Sequence, residues 1–200
     1  MLINQLKEYK VFLASGSPRR HQLLEGMDIA FEYLPLEVEE KYPAHLSAVE
    51  VAEYLSELKL SPITMEDYPD NTIFIACDTI VVIDDKIIGK PKNKKDAISI
   101  LRQLSGREHV VITGVTVATP LQTITSHKTT KVKFKSLSKE EIEYYILKYK
   151  PFDKAGAYGI QEWIGYVGIE HVEGSFYNIM GLPTWLLWDM LDVIVNCDIN

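Results

Sequence analysis

Ser15-Gly16-Ser17-Pro18-Arg19-Arg20 sets two guanidinium groups directly behind a turn of small residues. The apolar stretch from Val11 to Ala14 reads as a short buried strand, Ser17 as an N-cap and Pro18 as the first helical residue. A strand that enters a helix through such a turn aims backbone N–H groups and the helix dipole at an anion. Two cations in a first helical turn oppose that dipole, so something negative is expected to offset them, and a polyphosphate does so. The alternative is a pair of solvated arginines on a surface helix.

Asp78 is the second feature. It interrupts Ile73-Phe74-Ile75-Ala76-Cys77 and Ile80-Val81-Val82-Ile83. A carboxylate forced into a buried strand needs a metal, a cationic partner or an exit to solvent, because an unpaired one costs several kcal/mol. Gly89-Lys90-Pro91 follows on the next turn, and Lys90 is a candidate to reach toward Asp78 and a phosphate. The loop Asp153-Lys154-Ala155-Gly156-Ala157-Tyr158-Gly159-Ile160-Gln161 holds two glycines and ends in an amide that donates and accepts at once, as a nucleobase edge requires. Glu37, Glu39 and Glu40 are alternative sources of a second carboxylate for a divalent ion. Mg²⁺ bound to phosphates usually takes only one or two protein carboxylates. The five histidines show no ligand spacing.

The elements that must position these groups follow from periodicity and turn chemistry. A helix from Pro18 ends near Gly26 and turns Leu23 and Leu24 inward. Residues 29 to 34 read as a second strand, followed by an acidic loop from Glu37 to Lys41. Val51, Leu55 and Leu58 set a helix from Ser47 to Leu60. Residues 72 to 83 form a strand broken at Asp78-Thr79, and Asp84-Asp85-Lys86 turns it into Ile87 and Ile88. Residues 94 to 104 form a helix with Ala97, Ile98, Leu101 and Leu104 on one face. Residues 109 to 119 and 123 to 134 pair as a hairpin around Pro120. Ser138 and Glu141 make a capping box for a helix to about Tyr149, and a last helix runs from Pro183 to about Val195. Strands and helices alternate first and a meander follows, which implies a mixed-sheet α/β domain with a cleft.

Composition narrows the classes. The chain has 200 residues, 46% of them hydrophobic, enough for one core-forming domain, and carries a net charge of -7. That charge argues against a protein that binds nucleic acid through an overall basic surface. Cys77 and Cys197 lie far apart without ligand-like spacing, so no disulfide framework is expected and Cys77 reads as a buried thiol. The N-terminus lacks the apolar run of a signal peptide, and no stretch reaches the ~20 apolar residues of a membrane span. A cytoplasmic protein without membrane partners is the expectation.

Six segments together resemble the Maf family of nucleoside triphosphate pyrophosphatases. They are LASGSPRR at 13–20, ACDTIVV at 76–82, GKP at 89–91, SGREHVVITGV at 105–115, DKAGAYGIQ at 153–161 and GSFYNIMGLP at 174–183, in family order across nearly the whole chain. The resemblance implies a single two-lobed domain over residues 1–200. Its fold would be an elongated mixed sheet with flanking helices and a central cleft between the lobes, similar to the inosine triphosphatase fold. It implies hydrolysis of a nucleoside triphosphate to the monophosphate and pyrophosphate with a divalent cation, Mg²⁺ or Mn²⁺, and a homodimer. Asp78 then matches the catalytic aspartate, and Glu40 with Asp78 the metal side. Ser15, Arg19, Arg20, Lys59, Thr79, Lys90 and Gln161 match substrate-binding positions, with Lys59 and Lys90 on the phosphates. Asp78-Thr79 and Ile160-Gln161 resemble the branch acting on dTTP and UTP.

Two departures stand out. Glu162 follows Gln161 where the family usually has glycine, and Leu55-Ser56-Glu57-Leu58-Lys59-Leu60 replaces the usual Leu-Ala-x-x-Lys-Ala. Three further functions compete: activity on 7-methyl-GTP, a nucleotide-binding regulator of cell division without turnover, and a nucleic-acid module using Arg19, Arg20 and the lysines of 86–95. The last is disfavoured by the negative charge and by the absence of aromatics interleaved with the basic run.

Overall fold

The computed structural model describes residues 1–197, and the side chain of Cys197 lies outside the described residues. In chain order the elements are α1 (Leu2–Gln5), β1 (Lys10–Leu13), α2 (Pro18–Glu25), β2 (Glu32–Tyr33), α3 (Ala48–Leu58), β3 (Thr72–Ile83), β4 (Lys86–Ile88), α4 (Lys94–Leu104), β5 (Glu108–Ala118), β6 (Thr123–Phe134), α5 (Lys139–Tyr149), α6 (Trp163–Gly168), β7 (Ile169–Glu173), α7 (Phe176–Met180) and α8 (Thr184–Cys197). The protein is therefore mixed α/β. Among the described residues seven strands form one sheet in the order β2-β1-β3-β5-β6-β7, with β4 paired to β3. β1 runs parallel to β2 and β3, whereas β4 is antiparallel to β3 and β7 to β6, which makes the sheet mixed.

Local chemistry explains most boundaries. Ser47 and Ser138 each accept a backbone N–H three residues on and receive a glutamate in return, so α3 and α5 both open with a capping box. Asp84 and Asp85 take left-handed φ values of 48° and 59°, the conformation of a two-residue hairpin turn between β3 and β4. Three expectations need correction. β3 continues unbroken through Asp78-Thr79, because its ladder to β1 and β4 is satisfied on either side. The second strand shrinks to Glu32–Tyr33, since only those residues register against Phe12 and Leu13. The buried face of α4 includes Ile100, while Ile98 is half-buried.

The chain divides into two compact units, one of Met1–Asp78, Thr113–Lys128 and the residues from Gly181 on, the other of Thr79–Ile112 and Thr129–Met180. The first unit has a core of Phe12, Ala14, Leu60, Phe74, Ala76 and Ala118. Phe12 and Phe74 stack at 5.5 Å, and the edge of Tyr68 meets both at 6.0 and 4.8 Å. In the second unit Phe134 stacks on His109 and receives Tyr158 edge-on, within 5.5 Å in both cases.

Within the first unit, α3 lies directly on β5. A Cβ on Gly114 would stand 2.1 Å from the Ala52 carbonyl oxygen and 2.8 Å from the Glu53 nitrogen, so only glycine fits under that helix backbone. Helix backbone cannot step aside as a flexible side chain does. Gly114→Ala should cost about 3 kcal/mol of stability, at the upper end of overpacking. Urea denaturation checks this, and an unchanged midpoint would mean that α3 is free to slide on β5.

Candidate active site

The turn after β1 is built around Ser15, which is buried. Its Oγ accepts the Ser17 N–H at 3.3 Å and an Nη1 bond from Arg20 at 3.0 Å. Arg20 also donates from Nε to the Gly181 carbonyl at 2.8 Å, which ties the turn to the segment leading into α8. His21 Nε2 lies 2.6 Å from the Ser15 carbonyl oxygen. Ser17 occupies the N-cap of α2 but makes no side-chain cap bond, contrary to the usual role of a serine there. The serine that organises the turn is Ser15, which reaches forward to the Ser17 N–H. Arg19 is half-buried and one position earlier, so it points about 100° away from Arg20 around the helix.

Asp78 lies on β3 in the same unit, 8% exposed. Its carboxylate pairs with Lys59, the C-cap residue of α3. The Lys59 ammonium also donates to the Cys77 carbonyl at 3.1 Å and stands 3.3 Å from a Glu40 carboxylate oxygen. One cation thus joins two carboxylates that are 38 positions apart in sequence, counting from 40 to 78. This meets the demand that a strand-buried Asp78 find a cation. Of the three acidic-loop candidates, Glu40 is the one drawn to this cluster. Glu39 pairs with Lys41 at 2.6 Å, and Glu37 is exposed.

The remaining predicted contacts belong to the second unit. Thr79 follows Asp78 and is half-buried; strand alternation sends its side chain to the opposite face of β3. Lys90 is exposed on the turn after β4, and that turn is fastened to the glycine-rich loop by a bond from the Gly156 N–H to the Gly89 carbonyl at 3.2 Å. Gln161 ends that loop with its Oε1 buried and without a hydrogen-bond partner. A buried amide oxygen left unmatched is costly unless a ligand supplies the donor. Glu162 holds its charge within the protein: it accepts from the Tyr145 hydroxyl and pairs with Lys154 at 3.2 Å.

Burial sets the protonation state of two side chains, Cys77 and His109. Burial pushes the Cys77 thiol up to about 11, the dominant effect over the nearby Arg20 and Lys59 charges, so Cys77 is protonated at neutral pH and is no nucleophile. His109 is likewise unsuited to proton transfer at neutral pH, since burial lowers it to about 4 and its Nε2 is engaged with the Tyr158 hydroxyl at 2.8 Å. Among the described residues no group of three or more His, Cys, Asp or Glu side chains is placed to hold a metal ion. Glu40 and Asp78 offer hard oxygen donors in the number that a phosphate-bound Mg²⁺ takes from protein. No described helix is long and apolar enough to cross a membrane.

Sequence reading missed His21, Tyr145 and Lys154 as participants. His21 carried a weak signal, the next residue after the arginine pair. Tyr145 and Glu162 are 17 residues apart on different elements, a relation that no local spacing reveals.

Comparison with known proteins places the chain in a family. Residues 10–194 match the family model described as Maf-like protein. The chain is 48% identical to the dTTP/UTP pyrophosphatase of Flavobacterium johnsoniae over 98% of its length and 100% of that protein. It is 47% identical to the dTTP/UTP pyrophosphatase of Cytophaga hutchinsonii, covering 100% of this chain and 91% of that one. Among solved structures, the Ham1 protein of Staphylococcus aureus shares 14% identity at a TM-score of 0.46, over 62% of this chain and 71% of its own. A family model that matches residues 10–194 and relatives 47–48% identical over nearly the whole chain lead to one assignment: the chain belongs to the Maf family.

Proposed function

We propose that the protein hydrolyses dTTP and UTP to the nucleoside monophosphate and pyrophosphate, in the cytoplasm and as a homodimer, as its family likeness implies. The observation that carries this is the Glu40–Lys59–Asp78 cluster on a chain that aligns along its whole length with relatives bearing that name. Asp78 accepts the proton of the water that attacks the α-phosphorus. Arg20, with Arg19 and Lys90, binds the phosphates, and the leaving pyrophosphate gains charge that a fixed guanidinium offsets. Lys59 holds the Asp78 carboxylate in place. Glu40 and Asp78 are the residues that would hold a divalent cation, which neutralises phosphate charge when bound. Residues 1–200 are read as one two-lobed domain, as the family likeness implies.

Base choice falls to Gln161 and Thr79. Uracil and thymine present acceptor, donor, acceptor along O2, N3–H and O4. The N3–H supplies the donor that the buried Gln161 Oε1 lacks, and the amide N–H can meet a neighbouring carbonyl. Cytosine has an acceptor at N3 and leaves that oxygen unmatched. An unpaired buried group costs ~1–3 kcal/mol, so UTP and dTTP should exceed CTP and 7-methyl-GTP in kcat/KM by about ten- to a hundredfold. A pyrophosphate-release assay over these four triphosphates checks it. If CTP or 7-methyl-GTP leads, base reading by Gln161 is wrong, and if none turns over, the nucleotide-binding regulator replaces the enzyme.

A further inference from the structure

Gln161 is mounted on a set of buried polar contacts that the proposed chemistry does not use. Tyr145, midway along α5, exposes no surface. Its hydroxyl accepts the Gly159 N–H at 2.9 Å and donates to the Glu162 carboxylate. The other Glu162 oxygen pairs with the Lys154 ammonium at 3.2 Å, and Lys154, itself 8% exposed, also holds Asp153 at 2.7 Å. The backbone closes the same loop, with the Glu162 N–H on the Gly159 carbonyl at 3.0 Å and the Gly165 N–H on the Glu162 carbonyl at 2.9 Å. Residues on both sides of Gln161 are therefore fixed to one phenol.

The Gln161 amide is packed into this mount. A Cβ at Gly159 would stand 3.0 Å from both the Gln161 Nε2 and the Glu162 carboxyl carbon, so both side chains lie over the Gly159 Cα. A buried ion pair with a tyrosine is a weak way to gain stability, because apolar side chains of similar volume usually do as well. Its value lies in direction: a carboxylate with both oxygens committed, and a hydroxyl that both donates and accepts, admit one arrangement. Burial and the Glu162 charge both push the Tyr145 hydroxyl up, so it stays protonated and keeps donating to Glu162.

We infer that Glu162, braced by Tyr145 and Lys154, is a positioning residue that orients the Gln161 amide, and that it thereby sets selectivity between uracil or thymine and cytosine nucleotides. The inference rests on the base reading assigned to Gln161 above.

The test measures kcat/KM for UTP and CTP side by side on the same full-length preparation, so that the ratio does not depend on the fraction folded. Gln161→Ala should lower the UTP:CTP ratio about tenfold or more, as loss of a hydrogen-bonding group does. Glu162→Gln and Tyr145→Phe should each lower it by roughly fivefold through UTP alone, and Glu162→Gln should change nothing further once Gln161 is alanine, as expected of a residue acting through another. A ratio that survives both Glu162→Gln and Tyr145→Phe while Gln161→Ala lowers it overturns the positioning role and leaves base reading intact. Parallel loss on UTP and CTP also overturns it, since that is what a merely structural contact gives. A ratio that survives Gln161→Ala overturns base reading and the positioning role together. Should Tyr145→Phe not fold, the Glu162→Gln ratio decides alone.

Discussion

Asp78→Asn should lower kcat for UTP by about a hundredfold to ten-thousandfold while the protein stays folded. Asparagine keeps the volume and one carbonyl acceptor for Lys59 but can neither take a proton nor carry charge. The Lys59 ammonium retains Glu40 and the Cys77 carbonyl, so it is not abandoned in the interior. The stability loss should therefore remain at or below ~2 kcal/mol, well short of what an isolated buried charge costs. Steady-state kinetics and urea denaturation on one preparation separate the two effects. Near wild-type turnover would remove Asp78 from the chemistry and make its ion pair with Lys59 structural. The same variant tells the enzyme from a nucleotide-binding regulator: only an enzyme has turnover for it to lose.

How far the sequence speaks depends on the range of the interaction. Elements set by neighbours three or four residues apart were legible: the capping box at Ser138 and Glu141, the turn at Asp84-Asp85, and the apolar run of β3. The α6–β7–α7 stretch was not. Helix α6 contains Gly165, a poor helix former, yet a Cβ there would meet the Ile160 carbonyl at 1.7 Å, so the close approach of the loop that enters the helix selects a residue that propensity disfavours. Helix α7 has five residues, too few to show a period. At the site, the residue types that demand a partner were legible, with Asp78 foremost. Which partner answers was not, because Lys59 and Glu40 reach it from other elements. Lys59 pairs with both carboxylates, a contact that its place in the sequence does not announce. Glu162, a departure when read along the chain, has its charge answered by Tyr145 and Lys154.

Arg20→Ala should reduce kcat by about a hundredfold to a thousandfold and raise KM far less, the loss expected when one fixed charge is withdrawn from a developing anion. Arg20→Lys sharpens the point. Arginine presents a planar fork, and here it uses Nε on the Gly181 carbonyl and Nη1 on Ser15, so two directions of the guanidinium are already pinned by the protein. Lysine carries the same charge as a point on a flexible stem and cannot bridge those two acceptors in that geometry. If charge alone matters, Lys restores most of the rate. If the pinned orientation matters, Lys restores substrate binding but leaves kcat near the Ala value, and that is the expected outcome. The structural contribution is separable, because loss of two hydrogen bonds to neutral acceptors costs ~1–3 kcal/mol together and lowers the melting temperature without selecting kcat over KM. A variant that melts early yet turns over normally would reduce Arg20 to a strut between the Ser15 turn and Gly181, and phosphate binding would then pass to Arg19.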